Sequence, residues 1–351
     1  MSSSRNILII TPGFAASEDD DFTIPALQEY VLGILKYRPD WKMTIMSLQY
    51  PYLKGSYDYH GVRVYTFNGG NNKWKKPWLF RKVKKAFQIL NRNEAFDLIH
   101  SFWLTDSALI AQKLSEKYNV PHISTAMGQD VLEQNAYRKL LNTKNFPIVY
   151  LSHFQKEQSC FTQKPNDMLI PWGLEPMPAS DYQKRDIDVV GVGNLTSVKN
   201  FDLFIDVIAK LKIRVGSLKA LVIGYGDEEK RLKERVKQLN LTNTIEFRGK
   251  LERRDVMALL KRTKCLLHTS SYESFGMVLI EALDAGCKIV STPVGIAAEV
   301  GETSIESEGL ASLVESSLSV SGSDTMNVQF GFPIEKTIEA YDNAYESLVK
   351  K

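Results

Sequence analysis

Three cysteines in 351 residues, Cys160, Cys265 and Cys287, lack the spacing of a metal site and cannot all pair with one another. They are expected to be structural thiols in a reducing compartment. No apolar run approaches the roughly 18 residues that a membrane-spanning helix needs. The opening MSSSRNILII lacks the apolar stretch of a secretory leader, so a soluble, cytoplasmic protein is expected. Low-complexity tracts and repeats of solenoid period are absent. No His/Cys cluster or D-x-D pair is placed to bridge phosphates, so neither a metal nor any other cofactor is expected. A nucleophile elbow for Ser/His/Asp hydrolysis is missing too. The net charge is only +3, and no nucleic-acid-binding motif accompanies it.

What is present is an ordinary globular composition, 44% hydrophobic and 24% charged, on a chain long enough for two moderate domains. NILIIT (Asn6–Thr11) reads as a strand, Pro12-Gly13 as a turn, and the run from Ile24 to Tyr37 as a helix. Strand patterns recur at Met43–Ser47, Val62–Phe67, Leu98–Ser101, His122–Thr125 and Ile148–Ser152, with a helical pattern at Ser107–Tyr118. PWGLEPMPAS, with three prolines and a glycine, interrupts this alternation. A second series follows at Val189–Gly193, Ala220–Ile223, Thr244–Phe247, Cys265–His268 and Lys288–Thr292, with helices after the first four. Strands alternating with helices predict two α/β domains with mostly parallel sheets.

The most informative stretch is Ser270–Gly295, SSYESFGMVLIEALDAGCKIVSTPVG. An apolar strand, CLLHTS, leads into a polar turn, then into a helix that is apolar almost all round. Ser274 is the expected N-cap, so that the amides of Phe275, Gly276 and Met277 would project from the helix end toward an anion. Gly276 has no side chain to keep a ligand away. Glu281 lies inside this apolar helix, where a carboxylate is costly without hydrogen bonds. Glu273 lies at its mouth. A phosphate between two hydroxyl-bearing rings, as in a nucleotide sugar, fits such an arrangement.

The run E-S-F-G-M-V-L-I-E, continued by A-L-D-A-G-C-K-I-V, closely resembles the E-x7-E signature of the retaining family 4 glycosyltransferases. Further segments share the resemblance. DMLIPWGLE is similar to the family's V-I-P-N-G-V-D, DVVGVGNLTSVKNFDLFI to its V-G-R-L…K-G, and FRGKLERRD to the loop that holds the base. The resemblance implies the GT-B fold: two Rossmann-like domains, residues 1–172 and 173–333, facing each other across a cleft. The helix of 334–351 would return to the first.

It also implies roles. Lys199 would hold the donor diphosphate and neutralise the departing nucleotide. Glu273, with the Phe275 and Gly276 amides, would bind the donor sugar, and Glu281 the nucleotide ribose. Ser274, Met277, Val278, Asn194 and Gly249 would add donor contacts, and Gly13 would answer loosely to the glycine-rich first turn. Two departures bear on activity. Asn194 stands where the family usually has an arginine, which removes a charge-assisted contact to the diphosphate. Lys250 is the first substitute, ahead of Arg253 and Arg254. STAMGQDV keeps Gly128 and Asp130 of an H-G-x-D turn but has Met127 in place of the histidine. IGYGDEEKRL lacks the third glycine of a dinucleotide fingerprint.

KWKKPWLFRKVKKAFQILNR (Lys73–Arg92) contains no carboxylate. Leu79, Phe80, Val83, Ala86, Phe87 and Leu90 share one helical face, with Arg81, Lys82, Lys84 and Lys85 mostly opposite and Trp74 and Trp78 at the entry. An interfacial helix on an anionic membrane has this pattern, and so does a core-packed helix with a solvated basic face. The expected activity is therefore retaining transfer of a hexose from a UDP- or GDP-sugar to a hydroxyl of a glycan or lipid-linked acceptor. It would take place in the cytoplasm or at the inner face of the membrane. A binding subunit without activity, or a nucleotide-sugar epimerase or phosphorylase on the same fold, is the alternative.

Overall fold

The computed structural model describes residues 4–176, 184–319 and 331–349. Packing within the chain divides it into two units, residues 1–175 with 334–351, and residues 176–333.

In the first unit, strands β1 (Asn6–Gly13), β2 (Lys42–Tyr50), β3 (Gly55–Tyr59), β4 (Val62–Thr66), β5 (Leu98–Phe102), β6 (His122–Thr125), β7 (Ile148–Tyr150) and β8 (Met168–Leu169) form one sheet. Its order is β3-β4-β2-β1-β5-β6-β7-β8. All neighbours run parallel except β3, which forms a hairpin with β4 through His60 and Gly61, both at positive φ. The sequence pattern does not show β3. GSYDY carries one buried residue, Tyr59, so it has neither the alternation nor the apolar content of a strand. Helices α1 (Pro25–Tyr37), α2 (Lys76–Asn93), α3 (Asp106–Tyr118) and the short α4 (His153–Glu157) connect the strands.

Two features of this unit depart from, or complete, the sequence reading. Leu79, Val83 and Phe87 of α2 are buried in a cluster with Leu8, Ile10, Ile110 and Leu114. The apolar face of α2 therefore belongs to the protein's own core, which corrects its reading as the face of an interfacial helix. What remains outside is the basic face, with Arg81, Lys84 and Lys85 exposed, and the entry, where Trp74 is 93% exposed and Lys82 Nζ lies 3.3 Å from the Trp78 ring centroid. Large exposed aromatics of the unit, Phe22, Tyr52, Trp74 and Trp78, follow the carboxyl ends of β1, β2 and β4.

The last helix of the chain, Ile334–Val349, packs on α1 so closely that a Cβ on Gly33 would stand 2.7 Å from Ile334 Cγ1. Its Tyr341 and Tyr345 are fully buried, and their hydroxyls meet Thr125 Oγ1 at 2.9 Å and His100 Nδ1 at 2.6 Å. His100 is thus a structural residue, its imidazole pushed well below its ordinary range by burial and by His122.

The second unit holds β9 (Ile187–Val192), β10 (Ala220–Ile223), β11 (Ile245–Gly249), β12 (Thr263–His268), β13 (Lys288–Ser291) and β14 (Glu302–Thr303), in the order β11-β10-β9-β12-β13-β14, all parallel. Between them run α5 (Phe201–Val215), α6 (Glu229–Gln238), α7 (Arg253–Lys261), α8 (Met277–Asp284), α9 (Ala297–Val300) and α10 (Ser307–Ser319), and the final helix of the first unit is α11. Phe204, Ile208 and Leu211 of α5 and Leu310 and Val314 of α10 cover the strands Val189, Val222 and Leu267 come from. The strand order reverses between β9 and β12, and an open parallel sheet takes its ligands outside the carboxyl ends of the strands at that reversal.

Candidate functional site

The loops leaving β9 and β12 are stitched together at this reversal. Ser271 N donates to Val198 O at 2.8 Å, Ser271 Oγ to the same oxygen at 3.2 Å, and Thr269 Oγ1 to Lys199 O at 3.1 Å. The β9 loop is itself wedged against the β10 loop. Gly224 sits at φ +143, and a Cβ there would fall 1.9 Å from Gly193 O. Only glycine tolerates both the conformation and the contact. Lys199 lays its aliphatic stem along Gly193, where an added Cβ would lie 3.3 Å from Cδ and Cε.

This stitching brings together two residues 74 positions apart: Lys199 Nζ bonds Glu273 Oε1. Ser270 Oγ donates to the same oxygen at 3.1 Å, and His268 Nε2 lies 3.2 Å from it. The Glu273 side chain is 15% exposed. Burial pushes its pKa up, but the His268 contact and the Lys199 charge outweigh burial and bring it down to about 2. The carboxylate is ionised throughout the physiological range.

Ser274 is not the helix cap. Helix α8 begins at Met277, and its N-cap is Gly276, at φ 97 and ψ 68. The reason lies in Phe275. Its ring is buried, and its carbonyl accepts from Ile296 N at 3.0 Å, with Gly295 pressed so close that a Cβ would lie 2.2 Å from that oxygen. The chain must then turn sharply to enter the helix, and the left-handed conformation of Gly276 makes that turn. The amides outside the helical ladder are consequently those from Met277 onward, not those from Phe275.

Glu281 is the fifth residue of α8, one turn in rather than two. It is 13% exposed and meets Arg253 Nε, at the start of α7, at 3.1 Å. Arg253, ranked below Lys250 in the sequence, thus reaches one of the site carboxylates. Lys250 Nζ lies 5.5 Å from the Tyr225 ring centroid, and Arg254 is 83% exposed. Gly249 ends β11 at φ 67 facing open space, and Asn194 is exposed just past β9. Val278 is the second residue of α8.

Gly13 belongs to the first unit. It closes β1 opposite Tyr50 at a register shift, and its Cβ position makes only ordinary 3.5 Å contacts, so nothing local requires glycine. In the same unit, Asp130 accepts from the amides of Leu104 at 2.7 Å and Gly128 at 2.6 Å and from Met127 at 3.2 Å. It therefore pins the β5 and β6 loops. Among the described residues no group of three or more His, Cys, Asp or Glu is placed to hold a metal, and no helix is long and apolar enough to cross a membrane.

His268, Ser270 and Arg253 were missed or undervalued in the sequence. The available signal was position, since the first two lie at the carboxyl end of a strand beside the reversal.

Known proteins share this organisation. A 2-deoxystreptamine N-acetyl-D-glucosaminyltransferase of Niallia circulans is 32% identical over 120 residues, 33% of this chain and 31% of that protein. The chain spans about a third to three fifths of the length of the first curated relatives it matches. Among solved structures, a glycosyltransferase of Rickettsia africae ESF-5 superposes with a TM-score of 0.75 at 17% identity, covering 99% of this chain and 100% of that one. Alr3699/HepE of Anabaena, in complex with UDP and glucose, gives 0.65 at 19% identity over 99% and 97%. The fold is that of the GT-B glycosyltransferases. Residues 177–305, which contain Lys199, Glu273 and Glu281, match the family described as Glycosyl transferases group 1.

Proposed function

We propose that this chain is a retaining glycosyltransferase that moves a hexose from a UDP- or GDP-sugar to a hydroxyl of a glycan or lipid-linked acceptor without a metal ion. The observation that carries this reading is the Lys199–Glu273 pair, held at the strand-order reversal just ahead of α8. Lys199 stabilises the charge that develops on the departing diphosphate, with the first amides of α8 as further donors. Glu273 accepts hydrogen bonds from sugar hydroxyls. Glu281, oriented by Arg253, accepts those of the ribose. The acceptor oxygen bonds to the anomeric carbon as the bond to the diphosphate breaks, and the acceptor's proton passes to a phosphate oxygen on the same face. No protein base is required, so Met127 is compatible with the reaction.

A lipid-linked acceptor is supported by the exposed basic face of α2 and by Phe22, Tyr52, Trp74 and Trp78, which resemble the aromatic and cationic anchors of proteins at an anionic interface. That the Anabaena structure holds UDP and glucose supports a nucleotide-sugar donor.

The deciding experiment supplies UDP-glucose, UDP-N-acetylglucosamine and GDP-mannose in turn, measures the nucleotide released with and without acceptor alcohols, and assigns the product anomer by NMR. Release of UDP or GDP with an α-configured product from an α-configured donor supports the reading. Donor turnover undiminished in both Lys199→Met and Glu273→Ala would overturn it.

A further inference from the structure

His268 is the last residue of β12, buried, with Nε2 3.2 Å from Glu273 Oε1. That nitrogen is sequestered from solvent and makes no hydrogen bond among the described residues, its 3.2 Å approach to Glu273 included. A buried imidazole nitrogen without a partner is costly, so the carboxylate is its natural mate. An ionised carboxylate only accepts, so a bond between the two needs a proton on Nε2.

The direction of the other contacts gives this one its meaning. Lys199, Ser270 and His268 all reach Oε1. Two donors and the His268 ring nitrogen converge on one oxygen, from the β9 connection, the β12 loop and the end of β12, and leave Oε2 for a ligand. Ser270 sits on a loop and Lys199 on a single 3-10 turn, whereas His268 ends a central strand, paired with Ser291 of β13, its carbonyl accepting from Thr292 N at 3.0 Å. It is the rigid member of the three.

We propose that His268 is a positioning residue for the transfer, its Nε2–H holding Glu273 so that Oε2 faces the donor sugar. This rests on the reading that Glu273 binds that sugar. An oxygen so held accepts but cannot donate, so the site favours sugars carrying a hydroxyl at the contacted position over their deoxy analogues.

The test compares His268→Leu, which removes the donor, with His268→Gln, whose amide nitrogen donates from nearly the same place. On whichever of UDP-glucose, UDP-N-acetylglucosamine or GDP-mannose is turned over, His268→Leu should lower kcat roughly tenfold to a hundredfold. KM for the donor should change by less than about threefold, because the nucleotide is gripped elsewhere. His268→Gln should recover most of the loss. A kcat unchanged in His268→Leu, or lost equally in both variants, overturns the proposal. If Glu273→Ala also leaves turnover intact, it is the assignment of Glu273 that fails.

A second readout needs no substrate. With 15N-labelled histidine, the signal that vanishes in His268→Gln, among those of five histidines, should be that of an Nε2–H imidazole and should shift in Glu273→Gln. An Nδ1–H tautomer indifferent to Glu273→Gln refutes the contact.

Discussion

Replacing Glu273 by glutamine should remove about 3 kcal/mol of stability that depends on pH. In the folded protein its pKa is about 2, against 4.5 for an unperturbed glutamate. At about 1.4 kcal/mol per pH unit, this gap corresponds to about 3 kcal/mol of preference for the ionised form in the native state. Because the folded value is the lower one, the contribution is complete above the unfolded value near 4.5. It is lost as the pH falls through 2. Wild type minus Glu273→Gln, measured as unfolding free energy in urea, should therefore shrink by about 3 kcal/mol between pH 6 and pH 2. Circular dichroism follows the whole chain, whereas the five tryptophans, at 41, 74, 78, 103 and 172, all lie in the first unit. Fluorescence is thus an internal control for the unit that lacks Glu273. A difference that stays constant across this range would refute the charged, bonded state of Glu273.

Other expectations are as direct. Glu281→Ala removes acceptors of charge-assisted hydrogen bonds, each worth about 1.5–3 kcal/mol, so calorimetric affinity for UDP or GDP should fall more than tenfold, and an unchanged affinity would remove Glu281 from the site. Gly224→Ala places a methyl 1.9 Å from Gly193 O at a φ that alanine resists, and should cost more than about 2 kcal/mol of stability by chemical denaturation. Lys82→Glu with Lys85→Glu should abolish flotation with vesicles rich in phosphatidylserine, and flotation equal to wild type would count against membrane docking by this face.

Alternation of apolar strands and amphipathic helices is a local property, so both parallel sheets and most strand positions were legible in the sequence. The resemblance of their motifs also linked Lys199 with the E-x7-E segment, and Lys199 does meet Glu273. The local pattern was silent where long-range packing decides. GSYDY becomes a strand only because β4 offers it an edge. Gly276 replaces Ser274 as the cap because Ile296 claims the carbonyl of Phe275 from 21 positions away. The apolar face of α2 is identical in sequence whether it meets lipid or core, and only the presence of Leu8, Ile10 and Ile110 across from it settles which. His268 lies outside the segments that carry the resemblance, and within FRGKLERRD nothing singles out Arg253. Their roles arise from distance, 3.2 Å to one carboxylate and 3.1 Å to the other, and distances between strands and helices far apart in the chain are set by the folded sheet alone.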